Sequence, residues 1–336
     1  MIPSGWTAGE PSPADVPALH ALLRRHEIVA RGRASASASA VEADVVGAGA
    51  ASRRHRVLRS ADGSVHAWGT VHDRAAGRSI VAVVVDPELD SPSADSAAQA
   101  LLGWIEQVSA EVGAERGLAA TQLDSGAFAE DERQSGWLSA AGYQRVRTWW
   151  QMSRIVDPQE AAPGVLPAPG PGVVVRRVAR DPDSGLPVER DLAAVHTVLE
   201  EAFTDHFNYH EESFEQFCAR LREDPGHRWD HWWIAEVTAD DGAPSPAGAL
   251  VAAVTAGDPP GSYVEYLGVL RTARGRGVAT SLLHSVFVDA AARDRPTVGI
   301  EVDADSPTGA AELYLAMGFT TDYQTASWHR DLAVPG

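Results

Sequence analysis

Apolar and polar residues follow two spacings through the second half of the chain. Short runs rich in β-branched and aromatic residues predict strands, and apolar residues recurring every three or four positions predict helices. The predicted strands are Val173–Val178, Trp232–Val237, Ala249–Ala256, Tyr263–Val269 and Val298–Asp303, with a turn at Asp258–Gly261 and a final strand pair from Phe319 to Leu332. The predicted helices are Asp191–Phe203, Glu212–Leu221, Val278–Ala291 and Pro307–Met317. This order predicts an α/β fold, with a mixed central sheet and helices on both faces.

The first half of the chain repeats this plan. Trp137–Arg154 aligns without gaps on Leu313–Arg330, so that Gly142 falls on Gly318 and the terminal arginines correspond. Further upstream, the apolar run Val81–Val85 falls on the strand that precedes a glycine-rich loop in the second half. A repeat of this length indicates duplicated domains rather than a solenoid, whose units are much shorter.

A stretch rich in Pro, Gly and Ala separates the two halves. Asp157–Gly172 has almost no periodicity, which is typical of an extended interdomain linker. We therefore expect an N-terminal domain at 1–157, a linker at 158–172 and a C-terminal domain at 173–336. The length of 336 residues suits two domains of roughly 150 residues each.

The composition narrows the class of protein. A formal net charge of −18 argues against nucleic acid and anionic membranes as partners, and it is compatible with a cationic small molecule. No apolar run approaches the ~20 residues of a membrane span, and the first residues lack a signal-peptide pattern, so we expect a cytoplasmic protein. The single cysteine, Cys218, lies in a helical pattern and is expected to be a buried apolar side chain.

The strongest candidate for chemistry is a glycine-rich loop. The strand end Leu267-Gly268-Val269 is followed four residues later by Arg274-Gly275-Arg276-Gly277-Val278-Ala279, which opens a helix. Such a turn leaves backbone N–H groups unpaired at a helix N-terminus and favours phosphate binding. It is not a P-loop, because no Gly-Lys-Ser/Thr follows, and it lacks the three-glycine dinucleotide pattern. An arginine-rich helix cap without a ligand remains the alternative.

A second block of residues follows downstream, and the two blocks together resemble the GNAT N-acetyltransferase superfamily. The matching residues are Arg274, Gly277 and Ala279 in the loop, then Ala310, Tyr314, Gly318 and Phe319. The resemblance covers most of Val173–Leu332 and implies two tandem GNAT (acyl-CoA N-acyltransferase) folds. The duplication is similar to that of the tandem GNAT proteins that include the mycothiol synthases, although no motif here singles out that activity.

The resemblance implies acetyl-CoA as the co-substrate, with its pantetheine arm in a split between adjacent strands. Backbone amides of Arg276–Thr280 would hold the pyrophosphate, and the main chain of Leu267–Val269 would pair with pantetheine, an amide near Val269 polarising the thioester carbonyl. Ser306 would cap the helix of the second block. The residues expected to bind the cofactor are Leu267, Gly268, Val269, Arg274, Gly275, Arg276, Gly277, Val278, Ala279, Thr280 and Ser306. No metal is expected.

Two catalytic roles are implied. Tyr314 would give its phenolic proton to the departing thiolate, with a core aromatic as the alternative. An amine acceptor is protonated at neutral pH and must lose a proton before it attacks. Glu265 is the leading base, acting through water, although in several relatives the strand glutamate lies one same-face step earlier, where this chain has Tyr263. Glu301 and Asp303, which share one face of the next strand, are alternatives.

The acceptor is the least determined part of the prediction. Residues 203–212 join the first two helices and, in this fold, shape the acceptor pocket. Their aromatic and acidic side chains suit a cationic amine, but a polar interhelical loop has the same composition. Asp205, His206 and His210 are close in sequence and lack a distant partner for a metal site.

The sequence therefore predicts an acetyl-CoA-dependent N-acetyltransferase that acts by direct transfer on a primary amine of a small molecule or a peptide N-terminus. A non-catalytic acyl-CoA-binding regulator and a scaffold with both sites inactive are the alternatives. The first half is expected to be inactive, because Leu138 falls where the second half has Tyr314. Asp86–Asp95 falls where the second half has its glycine loop, and its four carboxylates and two prolines do not suit a pyrophosphate site.

Overall fold

The chain forms two compact units, each a sheet covered by helices on both faces, as the hydrophobic pattern predicts. A computed structural model describes residues 2–74, 77–204, 206–207, 209–238, 242–257, 259–306 and 308–335. Unit 1 consists of Met1–Trp149, Arg222–Pro225 and Tyr323–Gly336. Unit 2 consists of Trp150–Leu221 and Gly226–Asp322.

Unit 1 is built on a mixed sheet in which one pair of strands is parallel. Its strands, in spatial order, are β1 (Thr7–Gly9), β2 (Arg53–Arg59), β3 (Val65–Arg74), β4 (Arg78–Val85), β5 (Ala120–Phe128), β12 (Thr320–Ala333) and the start of β6 (Gln144–Ile155). The β4–β5 pair is parallel, and the other registered pairs are antiparallel. Its helices are α1 (Val16–Arg31), α2 (Ala38–Val45), α3 (Ser91–Glu115) and α4 (Glu132–Ala140).

Unit 2 has the same plan. From the end of β6, its strands follow in the order β11 (Thr297–Asp303), β10 (Ser262–Val269), β9 (Pro244–Val254), β8 (His227–Thr238) and β7 (Val173–Arg177). Helices α5 (Glu189–Phe203) and α6 (Phe214–Glu223) cover one face, and α7 (Val278–Ala292) and α8 (Ala310–Ala316) cover the other. Cys218 lies on α6 and is buried in the apolar cluster between α5, α6 and the sheet, as predicted. No helix in the described residues is both long and apolar enough to cross a membrane.

Two predicted elements differ from the structure. The final strand pair is wrong: residues 320–333 form one continuous strand, β12, because this stretch contains no Gly or Pro to turn the chain. The last helix, predicted over Pro307–Met317, begins only at Ala310, after Gly309 with φ of 73°. Pro307, and Asp258 in the predicted turn, lie outside the described residues.

Each unit contains a strand segment from the other half of the sequence. β6 starts in unit 1, but Trp150–Ile155 belong to unit 2, and the C-terminal Tyr323–Gly336 belong to unit 1. There β12 pairs antiparallel with β5, from Thr325↔Phe128 to Ala333↔Ala120. The units therefore differ from the boundaries at 157 and 173 expected from sequence, because an extended strand joins the sheet edge that pairs its backbone.

Corresponding arginines cover corresponding glycines in the two units. Gly318 and Gly142 both follow a helix with positive φ, 87° and 85°. A Cβ on Gly318 would lie 3.6 Å from Arg154 Nε, and one on Gly142 would lie 3.7 Å from Arg330 Nε. Arg154 Nε donates to the carbonyl of Met317 (2.9 Å). The arginine that ends each aligned segment thus lies next to the glycine of the other segment. Arg154, from the first half of the sequence, lies in unit 2, and Arg330, from the second half, lies in unit 1.

The segment 158–172, expected to be an extended linker, packs against unit 2 instead. Glu160 lies in a short 3₁₀ turn, is 6% exposed and accepts hydrogen bonds from the Arg154 guanidinium (2.9 Å for Nη1). Leu166 packs on the apolar cluster beneath α7, and His284 Nδ1 lies 3.3 Å from the carbonyl of Pro167. A buried ion pair and an apolar anchor therefore hold this Pro/Gly/Ala-rich stretch on the surface of unit 2.

The two arginines should differ in their contribution to stability. Arg154 pairs with Glu160, whose side chain is 7% exposed, whereas Arg330 pairs with Glu106, whose side chain is 45% exposed. Arg154→Ala leaves a buried carboxylate without its cation and should cost about 3 kcal/mol. Arg330→Ala is the matched control and should cost about 1 kcal/mol or less. Urea titration of both variants measures this, and equal losses would contradict it.

Candidate functional site

The two central strands of unit 2 part soon after they meet. β10 and β11 run parallel and pair only from Ser262↔Val298 to Val264↔Ile300. β10 continues to Val269, still paired with β9 on its other edge, and β11 continues to Asp303. Over Leu267–Val269, the edge of β10 that faces β11 therefore has no registered strand partner among the described residues.

A β-bulge lies where the strands part. Val264 pairs with Ala252 and Tyr266 pairs with Val251, so Glu265 is the extra residue on β10. A bulge bends its strand and increases the twist, which accounts for the separation from β11 at this point. The split expected from the sequence resemblance thus begins beside Glu265.

The loop between β10 and α7 presents a row of backbone N–H groups. Gly275 and Gly277 both have φ of 76°, a left-handed conformation that glycine adopts without strain. Within the described part of the chain, no backbone acceptor is found for the six consecutive N–H groups from Gly275 to Thr280, and no side chain caps α7. Such a row at an uncapped helix N-terminus forms a concave site for an anion, with the helix dipole behind it.

A buried valine anchors the loop, and two exposed arginines give it positive charge. Val278 is 2% exposed and packs so closely on β9 that a Cβ on Gly248 would lie 2.6 Å from its Cγ1. Arg274 and Arg276 are exposed. The backbone position is therefore rigid, while two guanidinium groups stay available to a ligand.

Tyr314 lies on α8 and is 7% exposed. It belongs to the apolar cluster that includes Val264 and Ile300, the last paired residues of the split strands, and its ring centroid is 5.8 Å from that of Phe319. Burial raises the pKa of Tyr314 to about 12, so the phenol keeps its proton at neutral pH. The structure thus brings Tyr314 into one cluster with both strands of the split.

The three candidate carboxylates have different surroundings. Glu265 is half-buried at the bulge. Asp303 is 7% exposed, and its Oδ1 accepts the backbone N–H of Asp305 (2.9 Å). Glu301 is exposed, yet the protein around it limits hydration and raises the pKa of its carboxyl, while a hydrogen bond from Gln151 lowers it. A side chain that is accessible but poorly hydrated is typical of a cleft wall.

Ser306 does not cap α8, contrary to the sequence prediction. The residue at the N-cap is Gly309, and no side chain caps the helix. Ser306 Oγ instead lies 2.9 Å from Thr308 Oγ1, and its own N–H donates to the carbonyl of Asp303 (3.2 Å). Ser306 therefore belongs to the turn after β11 rather than to the start of the helix.

Hydrogen bonds hold the segment between α5 and α6, which was expected to shape the acceptor pocket. Tyr209 donates to Glu200 (2.7 Å), and this bond raises the pKa of Tyr209 to about 12. Arg220 pairs with Glu212 (3.0 and 2.6 Å) and donates to the hydroxyl of Tyr266 (2.5 Å), the residue after the bulge. Two of the carboxylates in this region are therefore already engaged, and Tyr266 links the region to β10.

The same segment contains the residues considered as metal ligands. Asp205 lies outside the described residues, as does Asn208. His206 Nδ1 lies 3.1 Å from the carbonyl of its neighbour Phe207. Among the described residues, no group of three or more His, Cys, Asp and Glu side chains is arranged to hold a metal ion.

The corresponding split in unit 1 is closed by a side chain. β4 and β5 pair in parallel from Arg78↔Gln122 to Val81↔Ser125 and then separate. Gln134 on α4 is 6% exposed, and its Nε2 donates to the carbonyl of Val83 on one strand (3.2 Å) and to that of Gly126 on the other (3.4 Å). This amide occupies the main-chain acceptors that an inserted ligand would need.

The loop after β4 also differs from its counterpart in unit 2. Asp90 caps α3 by accepting the N–H of Ser93 (2.9 Å), so a carboxylate already occupies this helix N-terminus. Asp86 is 4% exposed; burial alone would raise its pKa, but Arg25 (3.0 Å), the Glu88 amide and His66 hold the pKa below its usual value. The loop after β4 in unit 1 therefore carries carboxylate charges held by hydrogen bonds, whereas the corresponding loop in unit 2 presents backbone amides.

Sequence reasoning missed two glutamines. Gln151 lies within the aligned repeat but was assigned to the first domain, whereas its strand segment belongs to unit 2. Gln134 stands upstream of the aligned block, on a helix whose pattern marks it only as polar. Neither has a motif, so only the position of its strand or helix in the fold shows what it contacts.

Comparison with known proteins agrees with this geometry. Residues Leu192–Phe319 match the model of the Acetyltransferase (GNAT) family. A GCN5-related N-acetyltransferase from Sphaerobacter thermophilus is 26% identical, the alignment covers 100% of this chain and 98% of that one, and the TM-score is 0.75. No curated protein matches the sequence significantly.

Two more distant structures share the fold over nearly the whole chain. A tandem GNAT protein from the clavulanic acid biosynthesis pathway is 16% identical, with 98% of this chain and 99% of that one covered and a TM-score of 0.67. Saccharomyces cerevisiae N-myristoyltransferase, solved with bound myristoyl-CoA, is 10% identical, with 98% and 81% covered and a TM-score of 0.60. Residues 192–319 of the chain therefore match the Acetyltransferase (GNAT) family, and the chain as a whole shares the fold of the tandem GNAT protein.

Proposed function

We propose that unit 2 transfers an acetyl group from acetyl-CoA directly to a primary amine of a small molecule or a peptide N-terminus. One observation carries the proposal: the uncapped N-terminus of α7 lies at the end of the strand that borders the split, and no acceptor for the amides of Gly275–Thr280 is found among the described residues. The uncapped helix N-terminus suits a pyrophosphate group, and the split between the strands suits an extended arm that contains amides. CoA contains both chemical groups in one molecule.

The cofactor would lie along β10. The amides of Gly275–Thr280 would bind the pyrophosphate, with Arg274 and Arg276 adding charge. The pantetheine amides would pair with the free edge of Leu267–Val269, much as an added strand pairs with a sheet. A backbone N–H on this edge would polarise the thioester carbonyl. Ser306, after the neighbouring strand, would contact the cofactor from the other side of the split.

Tyr314 would stabilise the leaving group. A phenol with a pKa of about 12 is fully protonated at neutral pH and can donate to sulfur. An ordinary thiol has a pKa of about 8.5, so complete proton transfer from this phenol to a free thiolate is uphill. The role we propose is therefore a hydrogen bond that strengthens as negative charge develops on sulfur and that delivers the proton when the C–S bond breaks.

Direct transfer follows from the position of the one thiol. Cys218 is 6% exposed within the apolar cluster beneath α5 and α6, and a thiol in apolar surroundings is a poor nucleophile. The proposal therefore has the amine attack the thioester itself, in a ternary complex. A carboxylate on the acceptor side suits an amine that arrives protonated.

Unit 1 would not bind acetyl-CoA. Gln134 closes its split, Asp90 occupies the N-terminus of α3, and Leu138, which aligns with Tyr314, is 2% exposed and has no proton to give. The proposal therefore assigns one cofactor site to the whole chain.

The function is tested with the full-length chain, because each unit contains residues from both halves. Thiol release from acetyl-CoA is measured against a panel of aminoglycosides, polyamines, amino sugars and peptide N-termini, and calorimetry measures acetyl-CoA binding. We expect one site per chain and amine-dependent release. Binding without release on any amine would favour an acyl-CoA-binding regulator, and no binding would favour a scaffold.

Gly277→Asp should abolish acetyl-CoA binding. The variant places a carboxylate among the amides of the loop, where it repels the pyrophosphate, and affinity should fall by at least ~10²-fold. Gly185→Asp is the control, because Gly185 has a similar φ of 70° and, as at Gly277, a Cβ added there would have no other atom within 4 Å. Calorimetry on both variants decides the matter. Unchanged affinity for Gly277→Asp would remove the pyrophosphate from this loop.

Tyr314→Phe should lower the turnover number by ~10²-fold while acetyl-CoA affinity stays the same. Because the pKa of Tyr314 is about 12, its loss should leave the shape of the pH–rate profile unchanged below about pH 10. Tyr143→Phe, in the apolar core of unit 1, is the control for losing a buried hydroxyl. Turnover within about twofold of the parent would make Tyr314 a packing residue.

A further inference from the structure

We propose that Glu301 accepts the proton of the acceptor amine and that Gln151, supplied by the first half of the sequence, positions it. This inference rests on the proposed function and names the proton acceptor of the same site. Gln151 contacts no reacting atom in this proposal, and it acts only through Glu301.

Three neighbouring strands bring the groups to one face of the unit 2 sheet. Met152 on β6, Ile300 on β11 and Val264 on β10 are all buried in the cluster beneath α7. Successive side chains on a strand point to opposite faces. Gln151 and Glu301, next to Met152 and Ile300, therefore lie on the face away from α7.

A directed chain of hydrogen bonds joins this face. The hydroxyl of Tyr263 donates to Gln151 Oε1 (3.4 Å), and Gln151 Nε2 donates to Glu301 Oε2. A primary amide can donate only from its nitrogen, so a partner on its oxygen fixes which end faces Glu301. Gln151 thereby stabilises the charged carboxylate in one orientation and leaves Oε1 of Glu301 for a substrate.

The absence of a side chain at Gly299 allows the ring of Tyr263 to reach Gln151. Tyr263 and Gly299 are opposite each other in the last stretch of β10–β11 pairing. A Cβ on Gly299 would lie 2.9 Å from Tyr263 Cδ2, which no real side chain tolerates. The tyrosine ring therefore lies across β11 towards β6 only because residue 299 has no side chain.

Glu301 is also placed where the reaction must occur. The last β10–β11 pair is Val264↔Ile300, so Glu301 is the first residue of β11 beyond the pairing and borders the start of the split. It is exposed, whereas Glu265, on the opposite side, is half-buried with Oε2 enclosed. An amine entering from solvent meets Glu301 more readily, and Asp303 already binds the amide of Asp305.

The proton balance is simple. The ammonium form of the acceptor transfers one N–H proton to Glu301, which becomes a neutral carboxylic acid, and the freed lone pair attacks the thioester carbon. As the adduct collapses, the C–S bond breaks, the thiolate leaves, and the second N–H proton replaces the one that Tyr314 gives to sulfur. Glu301 then releases its proton to solvent. One amide, one CoA thiol and one proton result from each ammonium ion and thioester consumed.

The test uses the full chain and the best amine from the panel. Glu301→Gln should lower kcat/KM for the amine by ~10²-fold, remove the acidic limb of its pH profile, and leave acetyl-CoA affinity unchanged. Gln151→Leu keeps the base but removes a hydrogen bond that lowers the pKa of Glu301, so the acidic limb should move to higher pH. A merely structural role of Gln151 would not shift this limb. Glu312→Gln, an exposed carboxylate on α8, is the matched control.

Other titratable groups must be separated from Glu301 in that profile. Those on the same strands are Tyr263 and Glu265 on β10 and Asp303 on β11, and Asp322 on β12 accepts from Ser153 (3.0 Å). Glu265→Gln is therefore the competing variant, expected to lose less than Glu301→Gln and to keep the limb. Loss of the limb in Glu265→Gln, or its survival in Glu301→Gln, overturns the assignment. No thiol release by the parent with any amine overturns the proposed function as well.

Discussion

The parallel contact between β10 and β11 is short, and the rest of the site depends on where it ends. Three register pairs join the strands, and then the bulge at Glu265 turns β10 away. Backbone groups that leave a sheet must be satisfied by something else, so the free edge of Leu267–Val269 is suited to a ligand with its own amides. The same strand leads directly into the uncapped loop before α7, so the edge of β10 and this loop are consecutive along the chain.

Unit 1 shows that the fold does not by itself make a site. It has the same interrupted pair of parallel strands, but the side-chain amide of Gln134 satisfies the carbonyls that face the gap. Its helix α3 is capped by Asp90, so the amides that could hold an anion already have a carboxylate. In unit 1, the side chains of Gln134 and Asp90 thus form hydrogen bonds with backbone groups at the two places that correspond to the split and the glycine loop of unit 2.

The exchange of strand segments ties the two halves of the sequence together. Arg154, from the first half, covers Gly318 and pairs with Glu160 in unit 2, and Arg330 performs the corresponding role over Gly142 in unit 1. The same exchange carries Gln151 to the sheet that holds Glu301. A residue from the first half of the sequence thus lies beside Glu301 in unit 2, which a comparison of motifs within each half does not detect.

The sequence by itself determined the repeat, the α/β class and the glycine loop, because these depend on local spacing: apolar periodicity, glycines with positive φ and a strand leading into a helix. It placed Glu265, Glu301 and Tyr314 near one another only through resemblance to a family. The final strand pair and the cap at Ser306 were wrong, since packing decided them. Alternation along β6 and β12 predicts which side chains share a face, but not which sheet edge each strand joins. Only the tertiary structure decided which edge each strand joins, because the backbone of a sheet edge can pair with any strand that reaches it. The choice of edge for β6 placed Gln151 beside Glu301.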